Sequence, residues 1–412
     1  MLGFVQSSRI FPALAVALAL AAGACTTVLG VRDIFLDESL GPPGGEGGTE
    51  GGNPDGGGTD GGADVVVTCQ ADLKTDLANC GACRHACTNG VCQEGLCILA
   101  QDLPSPRGVV AGAQVYVALV GGVGSIVSCP TSGCASATVG AKTLTLDAGD
   151  PYPYGIAAND MYVFAADYSS FNKGGVRRVL TSGGDFRKLP AAPDLERSYD
   201  VAIDKTSVYW TTTGSPGAIH WCNLPDCANG LQTATAAASE PELIAVAADG
   251  SIVWSDNSGS TLKRCAGKQA CTPQLLVPDF KGSVNGLVID GTTVYWGTTL
   301  GEVLSCAVAG CANPTKLVLE APVSTIGAVA VAGTSLYWSS MPFAPTGNTV
   351  LEAEGQVKAC TMPKCSGADV RIIATKQHDP GSMAVDATSL YWTNSGKRGF
   401  TDGIGNLVKA PR

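Results

Sequence analysis

No run of lysine and arginine occurs anywhere in the 412 residues, and the formal charge of −10 has the wrong sign for a polyanionic partner. Phosphate backbones are held by clustered cations, so nucleic acid is excluded. The basic pairs Arg177, Arg178 and Lys397, Arg398 are isolated and suit solvated strand or loop faces. Histidine is equally scarce: His85, His220 and His378 are the whole supply. No catalytic, metal or cofactor motif accompanies them, and none of these is expected. Stretches of 3.6-residue periodicity are missing, which argues against an array of two-helix repeats. A membrane-spanning run is missing too, since the apolar segment from Ile10 to Ala22 is too short to cross a bilayer comfortably.

That apolar segment follows Arg9 and ends in AAGAC, the pattern of a secretory signal over residues 1–24. The small residues ahead of Cys25 resemble the end of a bacterial lipoprotein signal, in which the cysteine becomes the lipidated mature N-terminus. The resemblance implies a lipid on Cys25 and the membrane as a partner. With Thr26 rather than Asp next to it, the outer membrane is the implied address within the cell envelope. Ala22, Gly23, Ala24 also fits an ordinary A-x-A cleavage site, which would make the chain simply secreted. From Gly41 to Gly62 the chain reads GPPGGEGGTEGGNPDGGGTDGG, with almost nothing apolar to bury, so residues 25–68 are expected to form a disordered tether. Between Cys25 and Cys69 lie 43 residues. Such a coil reaches roughly 35 Å.

Seventeen cysteines point to pairing in an oxidising compartment, and the odd one is Cys25. Six of them, Cys69, Cys80, Cys83, Cys87, Cys92 and Cys97, crowd residues 69–97, a segment with too few apolar residues for a core. Three disulfides of unassigned connectivity are expected. Zinc is the rival reading, because Cys80, Cys83, Cys87 and His85 have ligand-like spacing. Haem attachment fails, since Arg84 stands where CxxCH needs histidine. The NCGAC core with its spaced following cysteines resembles the cysteine-rich module of stigma-specific plant proteins, common in myxobacterial surface lipoproteins. That resemblance assigns no chemistry.

The remainder repeats. DKTSVYW ends at Trp210, DGSIVW at Trp254, DGTTVYW at Trp296, AGTSLYW at Trp338 and DATSLYW at Trp392, with weaker copies ending at Val117 and Val163. Successive spacings of 46, 47, 44, 42, 42 and 54 residues define seven units. Each carries four strand-like runs, as in GLVID, TVYWGTT, GEVLSC and KLVLEA. Four strands at this period make a propeller blade, so residues 98–412 are expected to form an all-β, seven-bladed β-propeller. The last unit lacks a fourth strand, and CILAQDLP, ending at Pro104, resembles one. The ring would then close through its N-terminal strand, leaving no open edge there.

The blade cysteines fall in pairs: Cys129 with Cys134, Cys222 with Cys227, Cys265 with Cys271, Cys306 with Cys311, and Cys360 with Cys365. Each pair flanks the turn between third and fourth strands, where a disulfide would staple the hairpin. Tyr and Trp of VYW alternate along a strand, so they point to opposite faces and pack against both neighbouring blades. Asp204, Asp290 and Asp386 precede the first hairpin turn, where a carboxylate accepts backbone amides. Repeated calcium ligands are the rival reading there.

Function should sit where the blades differ, in the loops entering the innermost strands. Alignment of the units gives Arg107, Tyr154, Tyr199, Glu242, Asn285 and His378 as candidate ligand contacts, with the long loops 339–355 and 393–405. A monomeric, non-enzymatic binding or scaffolding propeller for a surface protein or glycan is expected. The blade grammar is also similar to streptogramin-lyase-like and related hydrolytic propellers. That resemblance implies a divalent metal with His378 as base and Glu242 as its partner.

Overall fold

The computed structural model describes residues 71–412 apart from 122–123, 137–140, 145, 147–151, 170–174, 191–196, 215, 257–259, 279–281, 312, 321–323, 343–353 and 397–403. The expected signal, Cys25, the tether and Cys69 lie outside the described residues. So do the middles of the two long candidate loops. Their ends belong to strands: the second strand of blade 6 runs to Pro342 and the third starts at Glu354. Backbone pairing of Ser340 with Gln356 carries the ladder further than hairpin length alone implied.

The chain is all-β, built as seven blades of four antiparallel strands. Blade 5 shows the pattern, with Val284–Asp290, Thr293–Thr298, Glu302–Ala307 and Thr315–Leu319 hydrogen-bonded in that order. The first strands of blades 1 to 7 begin at Pro106, Pro153, Arg197, Ile244, Val284, Ser324 and Pro380. Each touches the first strands of both neighbouring blades, so these seven form the inner ring.

Alternation along the second strands decides how blades stack. Trp210 of blade 3 joins Ala157 and Phe164 of blade 2, whereas Tyr209 joins Ile252 and Trp254 of blade 4. Trp338 likewise joins Val288 and Val303 of blade 5, and Tyr337 joins Met383 and Tyr391 of blade 7. All five repeat tryptophans are at most 1% exposed. At roughly 200 Å² each, their burial contributes on the order of 5 kcal/mol apiece before entropy is subtracted. The repeated aspartates hold turns. Asp204 Oδ1 accepts from Thr206 N at 2.6 Å and Ser207 N at 2.8 Å, while Oδ2 accepts from Tyr209 Oη at 2.5 Å. Asp386 repeats this with Thr388, Ser389 and Tyr391. Both oxygens of each carboxylate are therefore engaged within their own hairpin.

Closure occurs where the sequence places it. Leu96–Pro104 pairs antiparallel with Ile404–Pro411 as the fourth strand of blade 7. Its own outer edge is covered by Val91–Gln93 at one end and by Ala135–Ser136 of blade 1 farther along. The closing strand begins at Leu96, so Cys97 belongs to the module and the blade at once. Cys80–Cys92 and Cys87–Cys97 are disulfides, and Cys83 is disulfide-bonded as well. With Cys80 and Cys87 so engaged, His85 serves docking instead of zinc. Its Nδ1 bonds Cys80 O at 2.7 Å and its Nε2 bonds Ser389 Oγ of blade 7 at 3.1 Å. Lys409 Nζ donates to Ala86 O and to Thr131 O, tying module, blade 7 and blade 1 together.

All five blade pairs are disulfides with Cα separations of 4.9 to 5.8 Å. Blade 2, which lacks cysteines, substitutes a buried guanidinium. Arg178 pairs with Asp185 and with Asp226 of the next blade, both at 2.6 Å, and stacks 4.3 Å from the Tyr162 ring.

Candidate functional site on the inner ring

A single structural position collects most of the variable residues. In six blades the pairing of first and second strands slips by a β-bulge near the entrance: Pro106/Val109, Pro153/Ile156, Ser198/Val201, Val284/Gly286, Ile326/Val329 and Pro380/Met383. A bulge adds an unpaired residue and re-aims its side chain. Arg107, Tyr154, Tyr199 and Asn285 lie in these bulges, and Gly327 and Gly381 are their counterparts in blades 6 and 7. Glu242 keeps the same register in blade 4, because Val246 pairs with Ile252 as Ile203 pairs with Val208. One residue from each blade thus forms a ring of seven: Arg, Tyr, Tyr, Glu, Asn, Gly, Gly.

Part of this ring holds the blades to one another. Asn285 is 4% exposed, and its Nδ2 donates to Ile326 O of blade 6 at 3.0 Å. Thr211 Oγ1 donates to Glu242 O at 2.7 Å, Ser339 Oγ to Pro380 O at 2.9 Å, and Thr393 Oγ1 to Arg107 O at 3.2 Å. Beneath it, the buried Asp200 accepts Val201 N and reaches across to Ile244 N of blade 4 at 2.9 Å. Gly155 faces that carboxylate so closely that a Cβ there would collide with it. Asn285 is accordingly an inter-blade clamp, a role opposite to that of an exposed contact.

The sector over blades 1 to 3 is aromatic and cationic. Tyr154 meets Tyr199 edge-on at 4.9 Å, and Tyr168 sits 5.4 Å from the first and 5.5 Å from the second. Tyr152 stacks on Tyr154 at 5.9 Å. The guanidinium of Arg107 lies 5.9 Å above Tyr154, and that of Arg197 lies 5.3 Å above Tyr168. Tyr154 and Tyr199, taken from the sequence as contacts, are buried at 8% and 4% exposure. Their neighbours crowd them from three sides, so they form the base of the cluster. Arg107, Tyr152, Tyr168 and Arg197 are the half-buried members at its surface. The last three were missed because they lie outside the aligned repeat positions. A local signal existed: four tyrosines occur between residues 152 and 168.

Glu242 stands in blade 4, where burial, reinforced by the charge of Glu240, pushes its carboxyl up to about 7. His378 is elsewhere. It ends the outermost strand of blade 6, Arg371–His378, is exposed, and makes no hydrogen bond or ion pair with Glu242. His220 is buried in a third strand, its Nδ1 3.0 Å from Thr233 Oγ1. Among the described residues, no group of three or more His, Cys, Asp or Glu side chains is placed to hold a metal ion.

No protein family and no curated protein matches this chain. Solved structures do. A streptogramin B lyase is similar over 76% of this chain and 96% of its own, with TM-score 0.53 and 12% identity. A virginiamycin B lyase from Staphylococcus aureus is similar over 75% and 96%, with TM-score 0.52 and 13% identity. YCF48 bound to D1 peptide is similar over 76% and 95%, with TM-score 0.53 and 11% identity. At such identities the likeness is one of β-propeller fold.

Proposed function

We propose that this chain is a non-enzymatic recognition module of the cell envelope, held by a lipid on Cys25 and a glycine-rich tether. Its propeller would bind a surface protein or glycan over the aromatic, cationic sector of the inner ring. The observation that carries the reading is that sector: Arg107, Tyr152, Tyr168 and Arg197 sit together where the repeat is broken, at the bulged entrance of the inner strands. Tyrosine and arginine are enriched among the residues that dominate binding energy at interfaces, tyrosine because it offers wide contact area with few rotors to freeze and arginine because its planar guanidinium donates several hydrogen bonds and stacks on rings. The cysteine-rich module, similar to that of stigma-specific proteins, would place the tether beside blade 7. A propeller of this shape solved with a peptide, YCF48, is consistent with such use of the fold.

Two experiments test it. Radiolabelled palmitate should label the chain and not its Cys25→Ala variant; labelling of neither removes the anchor. Capture from envelope fractions should give a partner that Arg107→Ala with Tyr168→Ala loses while the fold persists; an unchanged partner rejects this face. The lyase-like or hydrolytic reading, with His378 and a divalent metal, has less support. Its two named residues lie in different blades, Glu242 ahead of the first strand of blade 4 and His378 at the end of the outermost strand of blade 6, although the elevated Glu242 carboxyl would suit acid–base work.

A further inference from the structure

Between the outermost strand of blade 6 and the closing strand of blade 7 opens a cleft of about 520 Å³. Leu96 and Ile98 make one wall, and Ile372 and Ile373 the other. Its polar end is a set of amides. Asn394, 5% exposed, donates through Nδ2 to Gln377 Oε1 at 2.9 Å and to Asn406 Oδ1 at 2.8 Å, which uses both amide hydrogens. Its Oδ1 is buried and accepts nothing. Gln377 Oε1 accepts also from Trp392 Nε1 at 2.9 Å, and its Nε2 donates one hydrogen to Thr375 O at 2.8 Å. Asn406, half-buried, accepts from Asn394, and among the described residues its own Nδ2 has no acceptor. Exposed His378 stands at the rim with both ring nitrogens unused.

An orphan carbonyl in this position costs about 1–3 kcal/mol unless something donates to it. The missing group must donate to Asn394 Oδ1 and accept from Asn406 Nδ2. Ionised carboxylates and phosphates only accept and ammonium groups only donate, whereas a hydroxyl, like water or an amide, does both. Aliphatic walls beside such a pair suit the C–H face of a sugar ring, and the volume lies within the usual range for small-ligand sites. We propose that this cleft binds a neutral pyranose unit of a glycan, with one hydroxyl joining the free edges of Asn394 and Asn406 and the ring lying against Ile372 and Leu96. The site shares no residue with the inner ring, so it stands or falls separately from the function proposed there.

Saturation-transfer NMR on the full chain with cellobiose, N,N′-diacetylchitobiose and digalacturonate tests this. Signals are expected from a neutral disaccharide and not from the diuronate. Asn406→Asp keeps the acceptor that Asn394 uses but loses the outward N–H, and should weaken binding about tenfold, one hydrogen bond's worth. Should that variant misfold, Ile372→Glu alters a wall residue that is 54% exposed, and should also abolish the signal. Arg107→Ala should leave it unchanged. Absence of signal from every sugar at millimolar concentration would mean that the cleft holds water only. Equal binding of the diuronate, or loss with Arg107→Ala and not with the cleft variants, would equally overturn the assignment.

Discussion

Glu242 shows how one residue can be legible in kind and not in consequence. Its place in an aligned, variable position follows from the sequence, but burial and the neighbouring Glu240 charge, which raise its carboxyl to about 7, are properties of the ring. A carboxyl raised in the fold binds a proton that the unfolded chain has already released between about 4.5 and 7, so stability falls as pH rises through that window. Glu242→Gln should flatten this slope and stabilise the protein at pH 8 by roughly 1–3 kcal/mol, read from urea midpoints. The repeat tryptophans offer a second comparison. Trp338 Nε1 donates to buried Glu320 at 2.6 Å, whereas Trp254 Nε1 has no partner among the described residues. Trp338→Phe should therefore cost about 1–2 kcal/mol more than Trp254→Phe in chemical denaturation. Sequence treats the two as copies; only their neighbours differ.

At the scale of elements, the cysteine-rich segment and the closing strand act as one unit. Cys97 lies in the strand that completes blade 7, and its disulfide to Cys87 fastens the module to it. Removing that link with Cys87→Ser and Cys97→Ser should lower stability by about 3 kcal/mol from loop entropy. His85 adds a pH term. Burial, with a smaller contribution from Lys409, holds its imidazole below the ordinary value of 6.5. The neutral form is the docked one, so this contribution is complete above 6.5 and fades as pH falls below it. Hydrogen exchange over residues 80–97, corrected for intrinsic rates, should quicken from pH 7 to pH 5, and His85→Gln should lose that dependence. A bulge was not foreseeable in any first strand. The bulges lie where neighbouring inner strands approach closely, as where Gly155 meets Asp200, and no local propensity encodes that contact.

For the whole molecule, closure is the property on which the rest depends. Deleting residues 71–104 would strip the fourth strand from blade 7 and leave Ile404–Pro411 as a bare edge. Size-exclusion chromatography should then show association and calorimetry a lower Tm, whereas removing residues 1–68, which keeps all six cysteines of the module, should change neither. The seven-fold repeat, the four-strand grammar, the paired cysteines and the N-terminal closing strand were all determined by sequence alone. Period, alternation and turn residues act over a few positions and recur, so they are readable without coordinates. The tertiary structure alone decided which variable residues meet. It sank Tyr154 and Tyr199, turned Asn285 into a clamp, joined Tyr152, Tyr168 and Arg197 to Arg107, and sent His378 to an outer cleft. Those outcomes depend on inter-blade distances across an inner ring, which arise only when seven separately written blades close on one another.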